Sequence, residues 1–336
     1  MGELSLIEQI RKDFAPVQHP AITLGIGDDC AILRPPSGCE VLVTTDFSLE
    51  GRHFRRDLHP PESIGHRCLA RGLSDLAAMG ATPMAAFLSL ALPADLLATT
   101  KGRTWVARFL NGLRSLSDFH AVPLAGGDTS ESPAKLILAD IVLLGSAPKG
   151  KALRRSTASP GDALYVTGYL GGAAAELDAL RPRRVTRIAK TDGHPHLFPE
   201  PRTDTGEALL RRNLATACMD ISDGLSTDLA HLCRASNVSA QLDQAALPIH
   251  PLARKLGPKA ALEVALHGGE DYELLFTTPS SLRMPTSLAS VPITRIGTIT
   301  AKRSGQPQIT LLQPGGTRNA LAPGGWEHFT RKKRRH

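Results

Sequence analysis

The sequence is poor in aromatic residues, has no paired cysteine motif and lacks a long apolar run. Aromatic residues make up 4% of the 336 positions, so the core must be built mainly from Leu, Val, Ile and Ala. The five cysteines are an odd number without a Cys-x-x-Cys pair, which argues against a disulfide framework or a structural zinc site. No stretch approaches the roughly 20 apolar residues of a membrane-spanning helix, and no signal peptide is visible. We therefore expect a cytoplasmic protein with reduced thiols and no membrane partner.

The length and composition indicate two globular domains. A chain of 336 residues exceeds what one compact core usually spans. Lysine and arginine number 39 against 32 acidic residues, which gives a net charge of +7. This excess indicates a polyanionic partner and fits nucleic acid, a membrane surface or a phosphorylated metabolite equally. Five of the charges lie in the terminal run 331–335, and the remainder of the chain is close to balanced.

Helical and strand patterns alternate along the chain. Helical spacing is found at 5–13, 61–79, 104–116, 171–180, 205–212 and 225–235. Strand patterns are found at 41–45, 87–92, 136–144, 163–167, 217–221, 272–277 and 293–298. We predict the α/β (α+β) class, with an N-terminal domain at 1–148, a C-terminal α/β domain at 149–330 and a disordered basic tail at 331–336. Residues 181–201 are predicted to form an irregular insertion.

Acidic residues recur beside glycines or hydroxyl residues, mostly where strands are predicted to end. The six segments are 25–30, 44–46, 74–75 (inside a predicted helix), 126–129, 220–224 and 268–271. Glycines let the backbone approach a ligand closely. Carboxylates are hard oxygen ligands that suit Mg²⁺, and Mg²⁺ usually binds together with phosphate oxygens. One such segment is most often a turn or a helix cap, but six in one chain favour a site for phosphate and Mg²⁺.

One glycine-rich segment imitates a phosphate-binding loop. Residues 145–152 match that pattern except at the last position, where Ala152 replaces the hydroxyl residue that binds Mg²⁺. The residues that follow are rich in Arg, Ser and Pro and make a poor helix, although the motif needs a helix N-terminus below the phosphates. We therefore expect no Walker-type loop in this chain.

The motifs together resemble those of the thiamine-monophosphate kinases, a branch of the aminoimidazole ribonucleotide synthetase and selenophosphate synthetase superfamily. They are Gly-Ile-Gly-Asp-Asp-Cys-Ala at 25–31, Thr-Thr-Asp at 44–46, Gly-Arg-His-Phe at 51–54, Leu-Ser-Asp-Leu-Ala-Ala-Met-Gly-Ala at 73–81, Gly-Gly-Asp-Thr at 126–129, Asp-Ile-Ser-Asp-Gly-Leu at 220–225, Gly-Gly-Glu-Asp-Tyr-Glu-Leu at 268–274 and Gly-Trp-Glu-His-Phe at 325–329. The resemblance runs over nearly the whole chain, and these enzymes bind ATP without a Walker loop.

The resemblance implies a fold of two α/β domains and a homodimer formed through strands of the N-terminal domain. It also implies the reaction of ATP with thiamine monophosphate to give ADP and thiamine diphosphate, the last step of thiamine diphosphate biosynthesis. Phosphoryl transfer asks for positioning and charge neutralisation rather than a covalent nucleophile. We therefore expect direct in-line transfer assisted by several Mg²⁺ ions, with no nucleic-acid partner.

Matching of the motifs implies a role for each of fourteen residues. The implied metal ligands are Asp29, Thr44, Thr45, Asp46, Asp75, Asp128, Asp220 and Asp223. The implied ATP contacts are Gly127, Asp128, Arg155 and Ser222, and the implied contacts to thiamine monophosphate are His53, Glu270 and Trp326. An aromatic ring such as that of Trp326 can stack on a cationic thiazolium, and Glu270 can pair with the same charge.

Two positions depart from the family pattern. Gly72 stands where such kinases often carry Asn before Leu-Ser-Asp, and this leaves Asp75 in place. Phe198 stands where a basic residue often precedes Pro-x-Pro-Arg, which weakens any expectation that this loop contacts phosphate.

Two other classes of function compete with this interpretation, another enzyme of the same superfamily and a nucleic-acid-binding protein. A selenophosphate synthetase would need a reactive Cys or selenocysteine beside a Lys in a glycine-rich N-terminal segment, and neither Cys30 nor Cys39 lies in one. An aminoimidazole ribonucleotide synthetase would take a formyl-bearing substrate instead. A nucleic-acid-binding protein could use 181–187 and the basic tail, but no aromatic residues are interleaved there to stack on bases.

Overall fold

A computed structural model describes residues 2–14, 19–181, 193–327 and 329. Residues 182–192 of the predicted insertion and the tail at 331–336 lie outside the described residues. The rest of the insertion, at 193–201, contains turns and extended chain without a helix or strand. Among the described helices, none is long and apolar enough to cross a membrane.

The described residues form helices and strands that alternate along the chain. The helices are α1 (Glu3–Phe14), α2 (Pro61–Ala78), α3 (Ala94–Ala98), α4 (Thr100–Phe119), α5 (Gly172–Leu180), α6 (Thr203–Arg211), α7 (Leu225–Ser236), α8 (Pro251–Arg254) and α9 (Pro258–His267). The strands are β1 (Ile22–Leu24), β2 (Ile32–Leu33), β3 (Cys39–Leu49), β4 (Thr82–Leu92), β5 (Leu124–Glu131), β6 (Leu138–Pro148), β7 (Ala163–Thr167), β8 (Ala217–Ile221), β9 (Val238–Asp243), β10 (Glu273–Thr278), β11 (Ser287–Leu288), β12 (Val291–Ala301), β13 (Ile309–Leu312) and β14 (Arg318–Ala320).

Contacts between residues divide the chain into two compact units. The first unit comprises Met1–Leu153 and Asp178–Asn213, and the second comprises Arg154–Leu177 and Leu214–His336. This division describes contacts only, so the domain boundaries at 148/149 and 330/331 stay predictions.

The first unit is built on a four-stranded sheet in the order β3-β6-β4-β5. Strand β6 pairs antiparallel with β3 and β4, and β5 pairs parallel with β4. In β6, Ala139, Ile141 and Leu143 are fully buried while the residues between them are partly exposed. This alternation shows that one face of the sheet carries the core, and α2 packs on that face because Gly72 brings it against Leu143.

The opposite face of this sheet is apolar and open in the single chain. Val43 is 62% exposed and Phe47 is 56% exposed, and Val41 lies beside them on β3. Asp140 of β6 pairs in register with Phe47, so a carboxylate lies within this apolar face. We call these residues, Val41, Val43, Phe47 and Asp140, the open sheet face.

The second unit is built on a sheet in the order β14-β13-β9-β12-β7-β10-β8, with β11 paired to β12. Its neighbouring strands are antiparallel except β13 and β9, which are parallel. Strands β8 and β10 are buried along their whole length. Helix α7 packs against β8 and β9, and α9 packs on α7. The acidic segment after β8 is therefore held between a buried strand and a packed helix.

Two acidic segments that were expected at strand ends lie inside strands. Residues 44–46 lie in the middle of β3, because its pairing with β6 continues to Leu49. Residues 126–129 lie inside β5, which the sequence did not predict. A Cβ atom at Gly127 would lie 1.9 Å from the carbonyl oxygen of Leu88, so the glycines permit the close parallel pairing with β4 rather than ending the strand.

Candidate active site

In the first unit, three of the predicted metal ligands come together where β3 faces α2. The hydroxyl of Thr44 donates a short hydrogen bond to the carboxylate of Asp75, which α2 carries. Asp46 is two residues further along β3 and lies on the same face. Its Oδ1 accepts hydrogen bonds from Nε and Nη2 of Arg71 at 3.2 and 3.0 Å. Arg71 and Asp75 are four residues apart and therefore lie on the same face of α2. This face supplies both the Asp75 carboxylate, which binds Thr44, and the Arg71 guanidinium, which binds Asp46.

Thr45 lies on the other face of β3 and interacts with Asp140. Burial raises the pKa of Asp140, the charge of Asp46 raises it further, and the hydrogen bond from Thr45 lowers it. Oδ1 of Asp140 is buried and has no hydrogen-bond partner. A buried carboxylate oxygen with no donor is costly, so this corner of the sheet has oxygen-ligand capacity that protein donors do not use.

The remaining predicted residues of this group lie apart from that cluster. Asp128 and Gly127 are exposed on β5, and three strand spacings of about 4.8 Å separate β5 from β3. Asp29 is exposed in the bend after β1, where its backbone N–H donates to the carboxylate of Asp28 at 2.8 Å. The structure therefore brings Thr44, Asp46 and Asp75 together and leaves Asp29 and Asp128 outside this contact.

His53 follows β3 in a turn that a buried arginine supports. Its Nδ1 accepts a hydrogen bond from the backbone N–H of Leu49 at 3.0 Å. Nη2 of the buried Arg67 donates to the backbone carbonyl of His53 at 3.1 Å. The other guanidinium nitrogen, Nη1, contacts the ring of His196 at 2.6 Å, and His196 contacts His59 at 2.9 Å. The segment at 193–202 thus helps to position His53 through Arg67.

In the second unit, a three-residue loop connects β8 to α7 and carries two of the predicted residues. We call Ser222, Asp223 and Gly224 the β8–α7 loop. The backbone N–H groups of all three donate to one oxygen, Oδ2 of Asp228, at 3.1, 3.0 and 3.0 Å. Burial raises the pKa of Asp228 to about 8, and the charges of Asp220 and Asp223 act in the same direction.

Two predicted substrate contacts are hydrogen-bonded to this same loop through their backbones. The N–H of Glu270 donates to the carbonyl of Ser222 at 2.8 Å, and the N–H of Trp326 donates to the carbonyl of Asp223 at 3.0 Å. Glu270 and Tyr272 both have positive φ angles, 70° and 50°. Non-glycine residues rarely adopt this conformation, and Tyr272 is fixed by donating to the carbonyl of Ile221 at 2.9 Å.

The other two predicted residues of the second unit differ in their surroundings. Asp220 is buried at the end of β8, opposite Leu274 in register. Arg155 is exposed in the turn that follows Leu153, and its backbone carbonyl accepts a hydrogen bond from the Ser236 hydroxyl at 2.8 Å. The structure places Asp220, Ser222, Asp223, Glu270 and Trp326 around the β8–α7 loop.

The candidate ligand atoms in each unit fit a hard divalent cation such as Mg²⁺. All are carboxylate or hydroxyl oxygens, and Oδ1 of Asp140 is a buried oxygen without a donor. Within the described residues there is no cluster of three or more His, Cys, Asp or Glu side chains that could hold a metal ion unaided. A cation here would complete its shell with phosphate oxygens and water, as Mg²⁺ usually does.

Three residues that matter to this geometry were not singled out from the sequence. Asp140 is visible there only as a charge that interrupts an apolar run, which is a signal that could have been followed. Arg71 and Asp228 look like ordinary polar residues on helices, because a basic residue within a helix and an acidic one in its first turn are both common. Their partners are identified only by the fold.

Two models of known protein families match this chain. The family model for the N-terminal domain of AIR synthase related proteins matches residues 27–147, and the model for the C-terminal domain matches residues 159–309. These matches confirm the predicted two-domain fold of the aminoimidazole ribonucleotide synthetase type and its mixed α and β class.

Curated proteins and solved structures match over nearly the whole chain. The thiamine-monophosphate kinase of Escherichia coli (strain K12) is 40% identical over 340 residues, covering 98% of both chains. That of Bacillus subtilis (strain 168) is 32% identical over 339 residues, covering 98% of this chain and 100% of its own. The crystal structure of thiamine-monophosphate kinase from Stenotrophomonas maltophilia K279a is 36% identical with a TM-score of 0.78, covering 93% of this chain and 96% of that one. A structure described as AaThiL complexed with AMPPCP and TMP is 31% identical with a TM-score of 0.74, covering 98% and 97%.

Proposed function

Because the chain belongs to the thiamine-monophosphate kinases of the AIR synthase related family, we propose that it transfers the γ-phosphoryl group of ATP to thiamine monophosphate. The full-length identity to these kinases confirms the resemblance found in the sequence. A relative that is 31% identical binds AMPPCP and TMP. The observation that carries the proposal here is that the backbones of Glu270 and Trp326 are hydrogen-bonded to the loop that contains Asp223.

We propose that the oxygen ligands in the two units bind several Mg²⁺ ions. When bound, Mg²⁺ would neutralise phosphate charge and clamp the attacking and leaving oxygens in line. Thr44, Asp46 and Asp75 supply such oxygens from one side of the first sheet, and Thr45 supplies one from the other. Asp29 and Asp128 in the first unit and Asp220 and Asp223 in the second complete the proposed ligand set.

The chain's own part in the chemistry is positioning. The attacking oxygen of thiamine monophosphate is already ionised near neutral pH, so a strong general base is unnecessary. Gly127 lets the backbone of β5 approach a phosphate closely. Arg155 and Ser222 would contact the nucleotide, and no covalent phosphoenzyme is formed. The rate would depend on holding both phosphates in line, which is the main requirement of phosphoryl transfer.

The substrate's cationic ring fits the residues held by the β8–α7 loop. Trp326 is 46% exposed, so part of its indole ring is accessible to solvent, and an accessible aromatic ring can stack on a flat cation. Glu270 supplies the opposite charge. By the motif match, His53 is also proposed to form a hydrogen bond with the substrate. An uncharged ring of the same shape should therefore bind more weakly than thiamine monophosphate.

We also propose a homodimer that buries the open sheet face. A contiguous apolar face on a folded chain marks an interaction site, and a second copy of this chain offers the same apolar surface by symmetry. Val43→Glu should convert the dimer to a monomer in sedimentation velocity, whereas Leu256→Glu, at an exposed position of the second unit, should not. A wild-type monomer at micromolar concentration would contradict the proposal. The cytoplasmic location stays a prediction.

The proposed activity is tested by an assay that couples ADP release to NADH oxidation, with saturating ATP and Mg²⁺. ADP release is expected with thiamine monophosphate, with thiamine diphosphate as the second product by chromatography. The formyl-bearing substrate of an aminoimidazole ribonucleotide synthetase serves as the control. ADP release with that purine precursor and none with thiamine monophosphate would refute the proposal.

A further inference from the structure

We propose that Asp228 is a positioning residue that sets the proposed substrate contacts and the Asp223 metal ligand together through the β8–α7 loop. The inference rests on the proposed function, because it assigns Glu270 and Trp326 to binding thiamine monophosphate. Asp228 itself touches neither substrate nor nucleotide in this scheme. Its role is to fix the backbone from which the contacting residues are held.

The geometry of the Asp228 carboxylate is specific to this loop. Asp228 is the fourth residue of α7 and is 2% exposed. Its Oδ2 accepts three successive backbone N–H groups, those of Ser222, Asp223 and Gly224. The residue preceding α7, Gly224, has no side chain with which to cap the helix. Asp228 therefore binds the N–H of the N-cap residue and of the two residues before it, and it turns the loop's N–H groups toward the core.

The same arrangement turns the loop carbonyls outward, where they accept the two substrate segments. Ser222 accepts from the N–H of Glu270, and Asp223 accepts from the N–H of Trp326. Peptide planes are rigid, so fixing the N–H direction of one residue fixes the carbonyl of the residue before it. The hydrogen bonds to Asp228 thus determine where the segments at 268–271 and 324–326 can dock.

Both docked segments approach the loop closely enough to follow any movement of it. A Cβ atom at Gly325 would lie 2.0 Å from the carbonyl oxygen of Asp223, and one at Gly269 would lie 2.6 Å from that of Ser222. The segment at 324–326 is also held by Thr227, whose hydroxyl accepts a hydrogen bond from the N–H of Gly325 at 3.0 Å. Because these contacts leave no free space, a shift of the loop must also move both segments.

A change at Asp228 is therefore expected to disturb metal use and thiamine monophosphate binding together. Residues that orient ligands from one step away typically change affinity or activity about 10- to 100-fold when mutated. An amide has one oxygen acceptor where a carboxyl group has two, and it presents an NH₂ group that N–H donors repel. Asp228→Asn should therefore loosen the loop while preserving side-chain volume.

The test compares Asp228→Asn with Asp243→Asn in a Trp105→Phe background, in which Trp326 is the sole tryptophan. Asp243 also accepts a backbone N–H, from Ala245 at 3.0 Å, but caps a short helical turn away from the β8–α7 loop. For Asp228→Asn we expect kcat/KM for thiamine monophosphate to fall about 10- to 100-fold. The Mg²⁺ concentration for half-maximal rate should rise, and the emission of Trp326 should move to longer wavelength. Asp243→Asn should leave all three unchanged.

The outcomes separate this inference from the proposed function. Emission of Trp326 is read without substrate, so it reports on the loop even if wild-type protein does not phosphorylate thiamine monophosphate. If Asp228→Asn does not fold by circular dichroism, Asp228→Glu keeps the carboxyl group but displaces it and should give the same paired effect. A folded variant of either kind with wild-type emission, Mg²⁺ dependence and KM for thiamine monophosphate would overturn the inference.

Discussion

The two units hold their candidate site residues by different means. In the first unit, most of the residues lie on regular elements, β3, β5 and α2, and sheet register fixes the spacing of those on strands, while Asp29 and His53 lie in a bend and a turn. In the second unit, they lie mainly on loops that are joined by backbone hydrogen bonds to one another and to the buried Asp228. The first arrangement depends on which side chains are present. The second also depends on the path of the backbone, and therefore on residues that touch no ligand.

This difference predicts different sensitivities to mutation. In the first unit, replacing a neighbour that is not a ligand should leave β3 and its register intact, because eleven residue pairs hold β3 to β6. In the second unit, a single contact such as that of Gly325 with Asp223 has no such redundancy. The predictions that follow test this contrast, beginning with substitutions for which both units should respond alike.

The largest effect is expected where each unit loses a metal-ligand carboxylate. Asp46→Asn and Asp223→Asn should each lower kcat on the order of 100-fold or more, because a cation that neutralises phosphate charge contributes several kcal/mol to the barrier. The folds should be retained, as judged by circular dichroism. Asp118→Asn is the matched control, since Asp118 is exposed and pairs only loosely with Arg114 at 3.8 Å. Near-normal turnover of both variants in saturating Mg²⁺ would contradict the metal assignment.

A smaller effect should separate the units. In Gly325→Ala, the new Cβ would lie 2.0 Å from the backbone oxygen of Asp223, so the segment at 324–326 must move. A misplacement of about 1 Å can cost on the order of 100-fold, and we expect KM for thiamine monophosphate to rise at least about 10-fold. In Gly126→Ala of the first unit, the Cβ would meet only the ring of Phe87 at 2.8 Å, which can turn aside. An equal rise in KM in the two variants would contradict the predicted difference between the units.

The smallest effect is on the pH dependence of the free energy of unfolding. It arises from a buried histidine in the first unit and a buried aspartate in the second. Burial lowers the pKa of His66 in the first unit to about 4. The unfolded chain therefore takes up the proton first, and stability is lost as the pH falls from about 6.5 toward 4. Burial raises the pKa of Asp271 in the second unit to about 7, so its stabilising contribution is present at low pH and lost as the pH rises through 7.

The His66 contribution to this pH dependence can be isolated with glutamine at that position. Nε2 of His66 donates to the carbonyl of Pro199 at 2.8 Å, and His66→Gln keeps a donor but does not titrate. Between pH 7 and pH 5, wild type should lose about 2 kcal/mol more than this variant. Thermal unfolding at both pH values measures the difference, with Asp271 unchanged in each protein. Parallel losses in the two proteins would show that His66 titrates normally.

The sequence predicts the elements well where hydrophobic patterns are regular. Strands at 163–167 and 217–221 have the predicted bounds, and the helix predicted at 61–79 ends one residue earlier, at Ala78. Strand β5 was missed because two adjacent glycines and an aspartate indicate a turn, whereas parallel pairing with β4 holds them extended. Propensity cannot anticipate such long-range pairing.

The candidate site is less accessible to prediction from sequence than the fold. Motifs named Asp46, Asp223 and Trp326, and their roles stay predictions until they are tested. Sequence patterns could not show that Arg71 pairs with Asp46, or that Trp326 donates its backbone N–H to Asp223 from a position about a hundred residues away. Such contacts depend on how distant segments pack, which local spacing does not contain.

The open sheet face has a consequence for aggregation. An apolar face with Val43 and Phe47 exposed could stack on many partly folded chains while the protein is being made. Asp140 lies in that face with one carboxylate oxygen already buried and unpartnered. Any surface that covers the face without offering a hydrogen-bond donor or a cation leaves this charge unsatisfied, which is a strong penalty. The Asp140 carboxylate therefore disfavours association of this face with surfaces that are apolar throughout.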